Sequence, residues 1–169
     1  EKPEEEERID RELTNRDYER AYSFEDLGGS KGESNFIAVV HIDGNSRGKR
    51  VDKIREIYGK SDWEEYKRIQ KEFSEAIDRD FKSSYKELTD YLAEKIDNGE
   101  LTKLDLKQRD GRKILPIRRI ITAGDDVCFV TEGRIGVECA RLYLEFLSRK
   151  VNSVDQEGYS ACAGVAIVH

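Results

Sequence analysis

Between Trp63 and Ile96, apolar residues fall at Trp63, Tyr66, Ile69, Phe73, Ile77, Phe81, Tyr85, Leu88, Leu92 and Ile96. Steps of three and four put all of them on one helical face, so the pattern predicts a single long helix. Asp62 or Ser61 is placed to cap its start, and Asn98-Gly99 to end it. So long an apolar stripe must lie along something. A coiled coil is one solution, but aromatic residues at so many stripe positions favour packing on a sheet. Trp63 and the helix tyrosines are accordingly expected in the core. With 169 residues the chain has length for one domain of ordinary size around that helix.

Strand signals surround the helix. Phe36-Ile37-Ala38-Val39-Val40-His41-Ile42 is a nearly continuous apolar run, expected to form a central strand buried on both faces with His41 in the core. Asp43-Gly44-Asn45-Ser46 ends it in turn chemistry. After the helix comes a polar hairpin turning at Asp110-Gly111, then an extended stretch from Ile114 to Thr122 with Pro116 near a sheet edge or bulge. Arg118 and Arg119 alternate across that strand, so at most one faces any site. Val127–Thr131 follows Ala123-Gly124-Asp125-Asp126 at once, which makes a β-hairpin with the acidic pair at its tip. A second helix carries Val137, Ala140, Leu144 and Leu147 on its apolar face, and Tyr159–Val168 reads as the last strand. The order is β-α-β-β-α-β, so the expected class is α/β in the α+β sense: a ferredoxin-like antiparallel sheet with helices on one face.

Charge divides the chain in two. Residues 1–33 carry twelve acidic and six basic side chains, which is the whole formal net charge of -6; residues 34–169 are neutral. The segment 1–33 is read as an acidic, solvated extension, a polar helix through Tyr22 or no structure, with Gly28-Gly29-Ser30-Lys31-Gly32 as linker to a domain at 34–169. A neutral body argues against clamping duplex nucleic acid through bulk positive charge. No run has the length of a membrane span, and no signal peptide opens the chain, so a cytoplasmic protein without a membrane partner is expected. The three cysteines, Cys128, Cys139 and Cys162, are too few for a disulfide framework. They are expected as buried packing thiols in a reducing compartment.

The expected topology sets the first strand beside the central hairpin, so Asp43 would face Asp125 and Asp126. Three converging carboxylates repel one another unless cations neutralise them. Divalent ions with oxygen ligands, Mg²⁺ or Mn²⁺, are the natural solution, and Mg²⁺ completes its shell with substrate phosphates. Two such ions about 3.5–4 Å apart are the usual device for in-line phosphoryl or nucleotidyl transfer. Gly44, Asn45, Ser46 and Gly48 are candidates to offer backbone N–H groups to phosphates, with Lys49 or Arg50 as counter-charge. The plainer readings are an Asx turn at Asp43, an ordinary hairpin turn at Asp125-Asp126, and solvated surface for Lys49 and Arg50.

Taken in order, Ile42-Asp43-Gly44-Asn45-Ser46, Ala123-Gly124-Asp125-Asp126-Val127 and Cys162-Ala163-Gly164-Val165-Ala166-Ile167-Val168-His169 resemble motifs of one family. It is the second palm domain of the polymerase-like large subunit of type III CRISPR effector complexes, with its stand-alone relatives. The resemblance spans residues 34–169. It implies a palm domain that converts ATP into cyclic oligoadenylate signals in prokaryotic antiviral defence. It makes Asp43, Asp125 and Asp126 the ligands of a two-ion Mg²⁺ or Mn²⁺ site and gives Gly124 close approach to the nucleotide. A metal-activated ribose hydroxyl would attack the α-phosphate of a second ATP. Implied partners are a guide and target RNA complex, reached through domains outside this chain, and a second palm or a homodimer partner.

Two positions depart from the family's pattern: Ala123 stands where the hairpin motif has its first glycine, and Asn45 where active members often have a second acid. They favour an alternative, a catalytically degenerate palm that binds nucleotide or scaffolds an RNA-guided defence complex. A third reading, a regulatory module for a small ligand, accounts for the fold and leaves the three acids unexplained.

Overall fold

The long apolar stripe forms helix α3, Trp63–Asp97. In this computed structural model, which describes residues 3–27, 36–59 and 62–169, α3 buries Tyr66, Ile69, Phe73, Ile77, Phe81, Tyr85, Leu88, Leu92 and Ile96. The Asp62 carboxylate caps its start, accepting hydrogen bonds from the N–H groups of Glu64 and Glu65 at 2.9 and 3.3 Å. Ser61, the other candidate cap, lies outside the described residues, as does the 28–32 linker. Trp63 is not core: it stands at the first turn, 63% exposed, with its ring 5.6 Å from that of Tyr66.

Around α3 the chain runs α1 (Pro3–Leu13), a short 3-10 turn (Phe24–Leu27), β1 (Ile37–Gly44), α2 (Arg47–Tyr58), then α3. After it come β2 (Gln108–Arg109), β3 (Arg112–Lys113), β4 (Ile117–Ala123), β5 (Asp126–Glu132), α4 (Gly136–Ser148) and β6 (Ala161–Val168). The fold is α+β. Its main sheet has four strands in the order β4-β5-β1-β6, with every neighbouring pair antiparallel. β2 and β3 form a separate small hairpin whose turn residues Asp110 and Gly111 both have positive φ, 51° and 81°, as a two-residue turn matched to strand twist requires. β4 is an edge strand that begins just after Pro116, with a register shift between Arg119 and Ile121. The edge position agrees with a proline that cannot donate to a ladder.

α3 and α4 pack on one face of the sheet and on each other, and the Tyr143 hydroxyl donates to the Phe81 carbonyl at 2.9 Å between them. Val40, Ile42, Val127, Phe129, Phe73, Phe81, Tyr143 and Leu147 belong to this core and are almost wholly buried. Each such side chain contributes roughly 1.5–3 kcal/mol on leaving water. On α4 the buried stripe runs through Cys139, Ala140, Tyr143, Phe146 and Leu147. Val137, expected on it, is 62% exposed because the stripe is turned toward the aromatic pair further along.

β1 is buried on one face only. Ala38, Val40 and Ile42 point to the helices, whereas His41 and Asp43 on the opposite face are exposed. Its composition is apolar on both sides because the 3-10 turn covers part of the second face. Leu27 is 1% exposed there, clustered with Ala21, Ile114 and Val130, and Ile37 and Val39 pack against this cluster. His41 lies beyond that cover and is not a core residue. The cysteines divide likewise: Cys139 is buried, Cys128 is half-buried and Cys162 is exposed. Burial pushes the Cys139 thiol up to about 12, so it is inert at neutral pH.

The N-terminal segment is docked rather than solvated. Ile9, Leu13 and Tyr18 join the main core. Arg119, with its side chain 4% exposed, binds the carboxylates of Glu6 and Asp10 on α1. The Thr89 hydroxyl donates to the Leu13 carbonyl at 2.8 Å, and Tyr18 donates to Asp97 at 2.7 Å. Glu19 then pairs with Ile114 as one parallel bridge, which carries the chain round the sheet edge to Leu27. Acidic residues counted as a solvated run are thus partly used as counter-ions for a buried arginine. Among the described residues no helix is long and apolar enough to cross a membrane.

Candidate functional site

At one end of the sheet, Asp43 of β1 lies directly opposite Asp126 of β5 on one side and Cys162 of β6 on the other. Side chains of directly opposed residues share a face, so the two carboxylates stand together on the exposed face of the sheet. Both residues are exposed, and neither carboxylate makes a hydrogen bond or an ion pair among the described residues. Like charges directly opposite in a ladder are destabilising, and among the described residues no side chain pairs with either carboxylate to offset this.

Asp125 is placed differently. The β4–β5 hairpin pairs Ala123 with Asp126, so its loop is Gly124-Asp125 alone, and Asp126 already belongs to the strand. Gly124 has φ +62°, as the first central position of such a loop requires. Its N–H donates to the Asp78 carboxylate of α3 at 3.2 Å. The Asp125 side chain, 12% exposed, receives Arg47 of α2 at 2.6 Å. The three acids expected to converge therefore divide into a facing pair, Asp43 and Asp126, and a third held by an arginine. Asp126 keeps the face its place in the strand gives it, whereas Asp125 sits in the two-residue loop and is turned to α2.

Gly44 is required by this packing. A Cβ there would lie 2.6 Å from the Asp125 Cβ and 3.0 Å from the Phe81 ring, while the Gly44 N–H donates to the Asp125 carbonyl at 3.1 Å. Glycine lets the hairpin tip close on the end of β1. Asn45 continues the ladder by donating its N–H to the Ser160 carbonyl at 2.9 Å, and its side-chain oxygen accepts the Cys162 thiol at 3.5 Å.

Ser46 takes a left-handed conformation, φ 64°, and turns the chain into α2. Its side chain makes no cap, and the first turn of α2 holds no acid. The opening N–H groups of a helix lack intrahelical acceptors, so Arg47, Gly48 and Lys49 offer donors beside Asp125. A Cβ at Gly48 would meet nothing within 4 Å, and Lys49 is exposed. The turn expected to present backbone donors is thus a helix start, which sets the donors in one direction.

Arg50 is not solvated surface. It is 6% exposed and makes a bidentate pair with Asp155 at 2.7 and 2.7 Å. Its guanidinium lies 5.2 Å from the Phe73 ring and 5.1 Å from that of Tyr159. The Tyr159 hydroxyl donates to Asp80 of α3 at 2.8 Å, and the Asn152 amide donates to that hydroxyl at 3.0 Å. Burial pushes the Asp155 carboxyl up, but the Arg50 hydrogen bonds and charge outweigh it and hold it below the ordinary aspartate value. This clamp joins α2, α3 and the approach to β6, and so fixes where α2 begins. Arg47, Asp78, Arg50 and Asp155 carry no sequence signal for these roles, because each partner is more than forty residues away along the chain.

No protein-family model matches the chain, and no curated protein matches it.

Proposed function

We propose that the chain is a palm-type nucleotidyl transferase or nucleotide cyclase domain, using ATP in CRISPR-linked antiviral defence. The observation that carries this reading is the facing Asp43 and Asp126 at the sheet end, their carboxylates unpaired among the described residues. The strand order with both helices on one face suits a ferredoxin-like palm, and the three motifs resemble those of the type III effector large subunit.

The donor set suits a divalent metal. Among the described residues no group of three or more His, Cys, Asp or Glu side chains is arranged to hold an ion. Mg²⁺ does not need one, because it binds through one or two carboxylates plus substrate phosphates and water. Asp43 and Asp126 would hold it, and when bound it would supply charge for phosphate binding and lower the barrier to nucleotidyl transfer. Asp125 would join them only by releasing Arg47. Of the chain's own groups, the N–H donors of Arg47, Gly48 and Lys49 bind phosphate oxygens, with Lys49 adding positive charge. Arg50 holds α2 in position for this, and Gly124 keeps the hairpin tip free of a side chain next to the nucleotide.

A second reading, a degenerate palm that binds nucleotide or scaffolds without turnover, is favoured by Asn45 and by the capture of Asp125. Calorimetry of the full chain with ATP and Mn²⁺ or Mg²⁺, against EDTA, tests the site. Metal-dependent binding that Asp43→Asn/Asp126→Asn abolishes supports the proposal. Formation of a nucleotide product then separates enzyme from scaffold. Absence of binding at millimolar ATP from a folded sample overturns the nucleotide site.

A further inference from the structure

Between α1 and the β2–β3 hairpin, the docked N-terminal segment lines an open cleft of about 420 Å³, away from the sheet end that holds Asp43 and Asp126. Its charged lining is Arg11, Arg16, Arg20 and Arg112 against one carboxylate, Glu19. The four guanidiniums are unequally satisfied. Arg16 is exposed, and its side chain makes no hydrogen bond or ion pair among the described residues. Arg11 is 72% exposed and reaches Glu7 at 3.0 Å, an arrangement that water screens to little net stability. Arg112 pairs with Glu19 at 2.8 Å and also donates to the carbonyls of Arg16 and Tyr18.

Arg20 is the informative one. Glu7 and Asp10 hold its two terminal nitrogens at 3.1 and 2.9 Å, yet its Nε is buried and has no hydrogen-bond partner among the described residues. A buried donor on a charged group without an acceptor is costly and uncommon. The Tyr22 ring lies 4.2 Å from the Arg20 guanidinium carbon and 4.5 Å from that of Arg109, so it braces both arginines. A cleft of this size with an unpaired guanidinium, an unsatisfied Nε–H and one acid suits a tetrahedral oxyanion, which planar guanidinium forks recognise well.

We propose that this cleft is a phosphate-binding site in which Arg16, Arg20 and Arg112 hold a phosphate group, free or as the phosphate of a nucleotide. The inference does not depend on the nucleotidyl-transfer reading. Its test is calorimetry of the full chain in EDTA, which silences metal-dependent binding, with inorganic phosphate and separately with AMP. The expected result is saturable one-to-one binding, with phosphate displacing AMP. Arg11→Ala/Arg16→Ala should weaken it about tenfold or more, the value of a lost charge-assisted contact. Both arginines are exposed, so the variant keeps its melting temperature, and Arg16→Lys should restore part of the loss. Asp43→Asn/Asp126→Asn should leave this binding unchanged. Tighter binding of AMP than of phosphate identifies a nucleotide as the occupant, and equal binding identifies the free ion. Failure of both to saturate by about 10 mM, or binding that the folded double variant retains in full, overturns the proposal.

Discussion

Asp125 and Asp126 are neighbours with different surroundings. Asp125 faces Arg47 at 2.6 Å, whereas Asp126 lies between Asp43 on one neighbouring strand and Ala123 on the other. If Asp126 holds the metal and Asp125 orders the hairpin, the two isosteric variants should differ. Asp126→Asn should weaken metal-dependent ATP binding at least about tenfold, in line with the loss of a charged ligand. Asp125→Asn should keep most of that binding and lower stability by about 1 kcal/mol, since Arg47 is half-exposed. Calorimetry and urea unfolding of both variants separate these outcomes. At Gly44, a methyl group would sit 2.6 Å from the Asp125 Cβ. Gly44→Ala should therefore destabilise by about 1–3 kcal/mol through overpacking, read from the urea midpoint.

Helix α2 owes its position to a clamp rather than to its own stripe. It buries only Arg50 and Ile54 among its residues. Arg50→Ala leaves Asp155 without its partner and opens the gap between Phe73 and Tyr159. The expected result is a loss of about 3 kcal/mol or more, because one member of a buried pair remains uncompensated. Faster hydrogen exchange should follow in α2 and in residues 151–159, with α3 unchanged. α3 has its own start signal: Asp62→Ala should cost about 1 kcal/mol, measurable by thermal unfolding. That cap, the three-and-four spacing and the positive-φ glycines at 99, 111 and 124 were all legible in the sequence. α2 was not, although Val51, Ile54 and Tyr58 keep a three-and-four spacing, because that pattern lasts only two turns and most residues between are charged.

Across the molecule, the N-terminal segment and the loop before β6 use carboxylates as internal partners of arginine. Burial raises Asp155 and Asp26, but hydrogen bonds outweigh it: from Arg50 for Asp155, and from the Tyr22 and Ser23 N–H groups and Arg109 for Asp26. Both carboxyls titrate below their unfolded value. Their stabilisation is therefore complete above about pH 5 and lost as pH falls through the folded values, below about pH 4. The melting temperature should hold level from neutral pH to about 5 and drop below about 4. Asp155→Asn should start lower at neutral pH and show a shallower acid limb.

The sequence by itself determined the long helix, the two hairpin turns, the order of the main strands and the acids at one sheet end. These depend on local periodicity and on residue-specific turn conformations, which neighbours in the chain set. Tertiary structure decided which carboxylates meet, because the register between distant strands, not composition, puts Asp126 with Asp43, while the loop residue Asp125 is held by Arg47 of α2. It also decided that the acidic N-terminus docks and that His41 and Cys162 are exposed. Burial of Arg119 called for counter-charges from α1, and a sheet with helices on one face leaves part of the other open. Those outcomes follow from contacts between residues far apart in the chain.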